Sequence, residues 1–337
     1  MTDFLNAIVL LLNFLVIPGI AYGCQLALGA LGVTLIYGIL RFSNFAHGET
    51  MAFGTMFTII GTWFLQSNGI SLGPIPTALL ALPLGILAAV LLILGTDKLV
   101  YKFYRKQKST PVIYLIASLG VMFFYNGLIR FIIGPDDRIF TDGSRFIITA
   151  REFKEMTGLD QGLAFKMTQG ITIVVTVICV IALFWFLNKT RTGKSMRAYS
   201  DNEDLALLSG INPDRVVMIA WVLTAALATI AGTLYGLDKS FKPFTYLQIL
   251  LPIFAAAIVG GIGNPVGAIL GGFVIALSEV SVTFAYKRVI AYLVPESWAP
   301  EGLVQLLSTD YKFAVSFSIL VIVLLVKPTG LMKGQSI

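Results

Sequence analysis

Residues 170–187 read GITIVVTVICVIALFWFL, eighteen positions without a charge. The run shows none of the polar–apolar alternation of a barrel strand, and its length suits a helix crossing the hydrocarbon core, which takes roughly 20 apolar residues. The chain as a whole agrees with this stretch. Its 337 residues are 57% hydrophobic and 12% charged, with a mean hydropathy of +0.86; a soluble domain carries about a quarter charged residues. In lipid each segment must satisfy its own backbone hydrogen bonds. The expected fold is therefore all-α, a polytopic transmembrane helical bundle forming one domain over residues 1–337.

Outward from that run, further spans are expected at 21–40, 75–94, 112–133, 216–237 and 313–326. The apolar region 5–40 is too long for one span and is expected to divide at Pro18-Gly19. A stretch to Leu65 follows RFSNFAHGE, residues 41–49. Residues 250–285 would extend roughly 54 Å as a single helix. A break at GGIGNP, residues 260–265, makes them two short or re-entrant helices. The count is eight passes, or nine if residues 5–17 also cross.

The formal charge of +6 reads as topology, not as a nucleic-acid surface. Lys98, Lys102, Arg105, Lys106 and Lys108 cluster in one connection, Lys189, Arg191, Lys194 and Arg197 in another, and Lys327 and Lys333 near the end. Lys and Arg are retained on the cytoplasmic side. This places 188–215 in the cytoplasm, and 134–166 and 286–312 outside. Cys24 and Cys179 lie within apolar runs and read as buried thiols, not a disulfide. The beginning, MTDFLNAIVLL, lacks the basic region of a cleaved signal peptide.

The connection 188–215, NKTRTGKSMRAYSDNEDLALLSGINPDR, is where chemistry concentrates. Asp201 can cap a short helix beginning at Asn202, with Glu203 and Asp204 in its positive first turn and Gly210 ending it. Leu205, Leu208 and Ile211, with Ala206 between, give this element an apolar edge. Asn212-Pro213 reads as N-cap and first residue of the next span. Two readings stand level on pattern alone: a helix gripped by another protein, or one lying on lipid headgroups. Gly193-Lys194-Ser195 is not a phosphate loop, since that pattern needs glycine where Asn188 stands.

Elsewhere NFAHGE holds Asn44, Glu49 and the sole histidine, His47. Ionisable groups at membrane depth often mark pathways; a lone histidine near a helix break or at the cytoplasmic surface is the plainer reading. Asn126 and Glu279 are the other candidate pathway groups. Gly263, Gly267 and Gly271 recur every fourth residue after Gly260 and Gly261, a spacing that lets helices approach closely. With Pro265 they could also leave backbone facing a path. No metal-ligand cluster, nucleophile triad or carboxylate pair is present, so neither enzyme chemistry nor a cofactor or metal is expected.

Together these segments resemble the permease subunits of branched-chain amino acid ABC importers of the LivH type. The likeness lies in LIYGILRFSNFAHGETMAFG, RTGKSMRAYSDNEDLALLSGINPDRV, AAAIVGGIGNPVGAILGG with Glu279 after it, LSTDYKFAVSF and KPTGL, spread over nearly the whole chain. It implies that 201–211 is a coupling helix docking on a cytoplasmic ATPase subunit. The chain departs from the wider importer pattern in having Glu203-Asp204-Leu205-Ala206 in place of Glu-Ala-Ala. The resemblance further implies a homologous LivM-like permease, two ATP-binding subunits, a periplasmic binding protein, and residence in a bacterial cytoplasmic (inner) membrane. Leucine, isoleucine or valine is the expected substrate. Urea or a short amide is the near alternative, and a stand-alone ion-driven transporter the distant one. Residues 286–305 look like an insertion facing outward, with Tyr292 and Trp298 suited to an interface.

Overall fold

A computed structural model describes residues 2–140, 145–295, 300 and 302–332. From Thr2 to Leu40 the chain is one continuous helix. Helix α1 (Thr2–Leu11) passes through a π-turn (Leu12–Val16) into α2 (Ile17–Leu40). The expected division at Pro18-Gly19 does not occur, and residues 5–17 form no span of their own. The wider turn just before Pro18 accommodates a ring that would clash with an α-helical carbonyl, and a residue with no N–H to donate.

Next come α3 (His47–Ser67) and α4 (Ala78–Thr96). A second π-turn (Asp97–Tyr101) continues α4 into α5 (Lys102–Lys106), so most of the first basic cluster is helical and not a trailing loop. Helix α6 (Pro111–Ile133) leads to a small antiparallel pair, β1 (Phe146–Ile148) and β2 (Phe165–Lys166), which flanks α7 (Ala150–Thr157). Then follow α8 (Met167–Lys189), α9 (Arg191–Asp201), α10 (Glu203–Leu208), α11 (Pro213–Asp238), α12 (Pro243–Gly260) and α13 (Pro265–Thr283). The last are α14 (Lys287–Leu293) and α15 (Lys312–Val326), which a 3₁₀ turn (Thr309–Tyr311) precedes.

Among the described residues, eight helices are long and apolar enough to cross a membrane. Helix α3 is a more polar ninth member, packed among α4, α6, α11 and α12. Its Thr50, Thr55, Thr58 and Thr62 hydroxyls donate back to the carbonyls of Ala46, Met51, Gly54 and Thr58 at 2.7–3.0 Å. Buried polar groups paired in this way cost little.

The connections sort to two ends of the bundle. At one end Asn6 donates to Asp160 at 3.3 Å, Gln161 to the Tyr292 hydroxyl at 2.7 Å, and Arg138 and Phe241 exchange backbone bonds at 2.8 Å. Ala7 and Leu10 of α1 pack there on Val289 of α14. Trp298, like Lys333, lies outside the described residues. At the other end Arg41 donates to the Ser200 carbonyl, Ser200 to the Gly38 carbonyl at 2.9 Å, and Lys102 meets Asp214 at 2.9 Å. The turn between α12 and α13 also lies here, next to α9. The two helices are thus full traverses of 18 and 19 residues, not re-entrant segments meeting mid-bundle.

Candidate functional site

The charged connector 188–215 is helical for most of its length. Thr190 accepts a hydrogen bond from Gly193 N at 3.0 Å and opens α9. The break comes at Asn202, extended at φ −154°, ψ 107°, whose side chain accepts from Leu205 N at 2.9 Å. The cap of α10 is therefore Asn202 and not Asp201. A cap must leave helical geometry, and Asp201 is still the last residue of α9. Glu203 and Asp204 occupy the first turn. At the far end Gly210 has φ +79°, and Ile211 N returns to the Ala206 carbonyl at 3.1 Å. Asn212 then caps α11 by accepting from Arg215 N at 3.2 Å.

Ala206 anchors α10 to the bundle at 3% exposure, while Leu205 and Leu208 point away at 61% and 85%. The Tyr199 hydroxyl donates to Glu203 at 2.6 Å, tying α9 to α10 across the break. Burial, and then that bond, push the Tyr199 ionisation well above its ordinary value near 10. A second tie runs between α4 and α11. Asp97 accepts two bonds from Arg105, at 2.9 and 3.2 Å, and one from the Trp221 indole at 2.8 Å. Asp214 meets Lys102 at 2.9 Å and Arg105 at 3.6 Å. Tyr101 lies 5.3 Å from Trp221 and 5.4 Å from Phe42, ring to ring, and donates to Asn44 at 3.3 Å. The sequence reading missed Asp97, Tyr101, Asp214 and Trp221. Its one available signal was an acid inside an otherwise basic run.

NFAHGE is not at the surface. Phe42, Asn44, Ala46, His47 and Glu49 are all buried, Glu49 completely. After Arg41, left-handed at φ +56°, the chain turns back into the bundle without helix and starts α3 at His47. Irregular backbone in such a place must find internal partners. Phe45 N donates to Ser118 at 3.2 Å, Ala46 N to the Asn44 side chain at 3.1 Å, and His47 N to the Asn44 carbonyl at 3.2 Å. Asn126 donates to Glu49 at 2.9 Å. Among the described residues, three polar atoms in this group have no hydrogen-bond partner: Asn44 Nδ2, His47 Nε2 and Glu49 Oε2. The fold thus gathers Asn44, His47, Glu49 and Asn126. Glu279 stands apart on α13, accepting from the Ser316 hydroxyl.

The glycine-rich turn joins α12 to α13 at close quarters. Gly261 and Gly263 have φ +110° and +86°, and Asn264 caps α13 ahead of Pro265, accepting from Val266 and Gly267 N at 3.0 and 3.2 Å. A Cβ on Gly260 would meet the Gly267 carbonyl, one on Gly267 the Gly260 carbonyl, and one on Gly271 the Ala256 carbonyl. The tail completes the turn: Leu331 N and Met332 N donate to the Val259 and Gly260 carbonyls at 2.8 and 3.0 Å.

A protein-family model described as branched-chain amino acid transport system, permease component, matches residues 15–324. The chain belongs to this family. The high-affinity branched-chain amino acid transport permease LivH of Salmonella typhimurium is 30% identical over 323 residues, covering 93% of each chain, and LivH of Escherichia coli K12 matches to the same extent. BraD of Pseudomonas aeruginosa is 26% identical over 94% of each. Among solved structures, PsaBC from Streptococcus pneumoniae in complex with Fab matches with a TM-score of 0.45 and 12% identity over 93% of this chain and 91% of that one, too low to bear on fold or function. As a member of the permease family the chain is a transport subunit and not an enzyme, a multi-pass protein of the cytoplasmic membrane.

Proposed function

We propose that this permease supplies half of the translocation path of an importer for leucine, isoleucine or valine, driven by two separate ATP-binding subunits. A homologous LivM-like permease supplies the other half, and a periplasmic binding protein delivers the substrate. The bundle end carrying α9, α10 and Lys98–Lys108 basic residues faces the cytoplasm, and the end carrying α1, β1, β2 and α14 faces outward. Retention of Lys and Arg on the cytoplasmic side supports this orientation.

The observation that carries the reading is α10. It is six residues long, separately capped, seated on the bundle through Ala206, and leaves Leu205 and Leu208 largely exposed among the described residues. A groove on a partner gives those leucines somewhere to go. When the ATP-binding subunits close they displace α10. Tyr199–Glu203 passes that displacement to α9, and the Asp97–Arg105–Asp214 cluster ties the start of α11 to α4. Asn44, His47, Glu49, Asn126 and Glu279 are the polar groups available to a zwitterion along an otherwise apolar path.

The test is uptake by cells carrying the full set of subunits. Leucine accumulation is expected to stop on ATP depletion and to persist when an uncoupler collapses the ion gradients while ATP is maintained. Accumulation that survives ATP depletion and is abolished by the uncoupler would overturn the reading in favour of an ion-driven transporter.

A further inference from the structure

A cleft of about 650 Å³ opens between α2, α8, α9 and the α12–α13 turn, at the bundle end that carries α10. That volume falls within the range of small-molecule sites, about 300–1,000 Å³. Its apolar lining is aliphatic: Leu35 and Ile39 from α2 and Met196 from α9. Its charged lining comes from one stripe of α9, where Lys194, Arg197 and Asp201 follow at helical spacing. Neighbours three or four apart on a helix bring their Cβ atoms to about 5–6 Å. None of the three makes an ion pair among the described residues. Thr34, also in the lining, is 1% exposed, and its hydroxyl has no hydrogen-bond partner among the described residues. A buried hydroxyl without a partner is costly unless something else completes it.

We infer that this cleft binds a free aliphatic α-amino acid from the cytoplasmic side, with its carboxylate on Lys194 and Arg197, its ammonium at Asp201, its side chain against Leu35, Ile39 and Met196, and the Thr34 hydroxyl completing the polar lining. The inference rests on the importer reading and the orientation proposed above. Two cations with one carboxylate fit a zwitterion. An anionic lipid headgroup would bring a further negative charge toward Asp201. Asp201 directly precedes Asn202, the cap of α10, so an occupied cleft stiffens the α9–α10 junction on which the ATP-binding subunit pulls. Accumulated product thereby slows its own import.

The test uses the permease complex with its ATP-binding subunits in nanodiscs, without the binding protein, titrated with leucine. Ala198 also lines the cleft, so alkylation of an Ala198→Cys variant by maleimide gives a local readout. Leucine is expected to bind saturably and to slow that alkylation. Leucinamide, which lacks the carboxylate, should bind at least tenfold more weakly. Arg197→Gln should raise the Kd for leucine at least tenfold, whereas Lys239→Gln, at the opposite end, leaves it unchanged. The inference is overturned if a transport-competent complex neither binds leucine nor protects the Ala198→Cys variant. It is equally overturned if Arg197→Gln binds as tightly as wild type, or if phosphatidylglycerol protects and leucine does not. Failure of the importer reading registers separately, as the absence of ATP-driven uptake by the wild-type complex, and takes the inference with it.

Discussion

Replacing Leu208 with alanine should loosen the grip of the ATP-binding subunit and leave the permease fold intact. Leu208 is 85% exposed, so truncating it removes almost no contact within its own chain. Surface changes of that kind stay within about 0.5 kcal/mol of neutral. In a partner's groove the balance differs. Each buried methylene contributes about 0.8 kcal/mol, so full burial of the truncated part is worth about 2.4 kcal/mol. Allowing for incomplete burial, the loss is about 1.5–2.2 kcal/mol, or roughly 10- to 40-fold in Kd. Leu205, at 61% exposure, should follow with a smaller effect. The assay is titration of purified ATP-binding subunit onto the permease in nanodiscs, alongside the apparent Tm of each variant. An unchanged Kd in a Leu205→Ala, Leu208→Ala double variant would refute the docking role. A Tm drop matching the affinity loss would show instead that the leucines serve the permease's own packing.

Gly267→Val places a branched side chain against the Gly260 carbonyl and should cost about 1–3 kcal/mol as overpacking, whereas Gly127→Ala points into open space and should be close to neutral; apparent Tm by fluorescence-detected size exclusion separates the two. Asp97→Asn removes the charge facing Arg105 in a mostly buried cluster and should cost about 2–3 kcal/mol, somewhat less than for a fully buried pair, read as a lower apparent Tm and faster proteolysis of the 202–212 segment. Tyr199 ionises well above its ordinary value in the folded protein, so its contribution is intact below about pH 10 and falls away as pH rises beyond. Proteolysis of the same segment should therefore be flat across neutral pH and accelerate above pH 10, and Tyr199→Phe should flatten that rise.

How far the sequence could be read depended on whether the determining contact was local. Asn212-Pro213 announced the start of α11 correctly because a cap and a first-turn proline act within three residues. The identical Asn264-Pro265 pair carried the same signal for α13, where the reading saw only a break. Asp201 and Asn202 are comparable caps, and only the helicity of the residues before them decides between the two. The π-turn at Leu12–Val16 has no marker beyond the proline that follows it. Burial of Glu49 was hidden because its polar partner comes from elsewhere in the bundle: Asn126 lies 77 residues away. Trp221 and Asp97, 124 residues apart, meet only once α4 and α11 are packed. The long apolar spans needed no such information, since hydrocarbon imposes them segment by segment.

The most direct measurement of the central claim is affinity purification of the tagged chain from native membranes in mild detergent, with every co-purifying protein identified and quantified. The account predicts one further permease and two ATP-binding subunits for each tagged chain, with the ATP-binding subunits lost selectively in Gly210→Pro, which cannot adopt the φ of +79° that ends α10. Recovery of the chain without any ATP-binding protein, from membranes that still take up leucine, would contradict it.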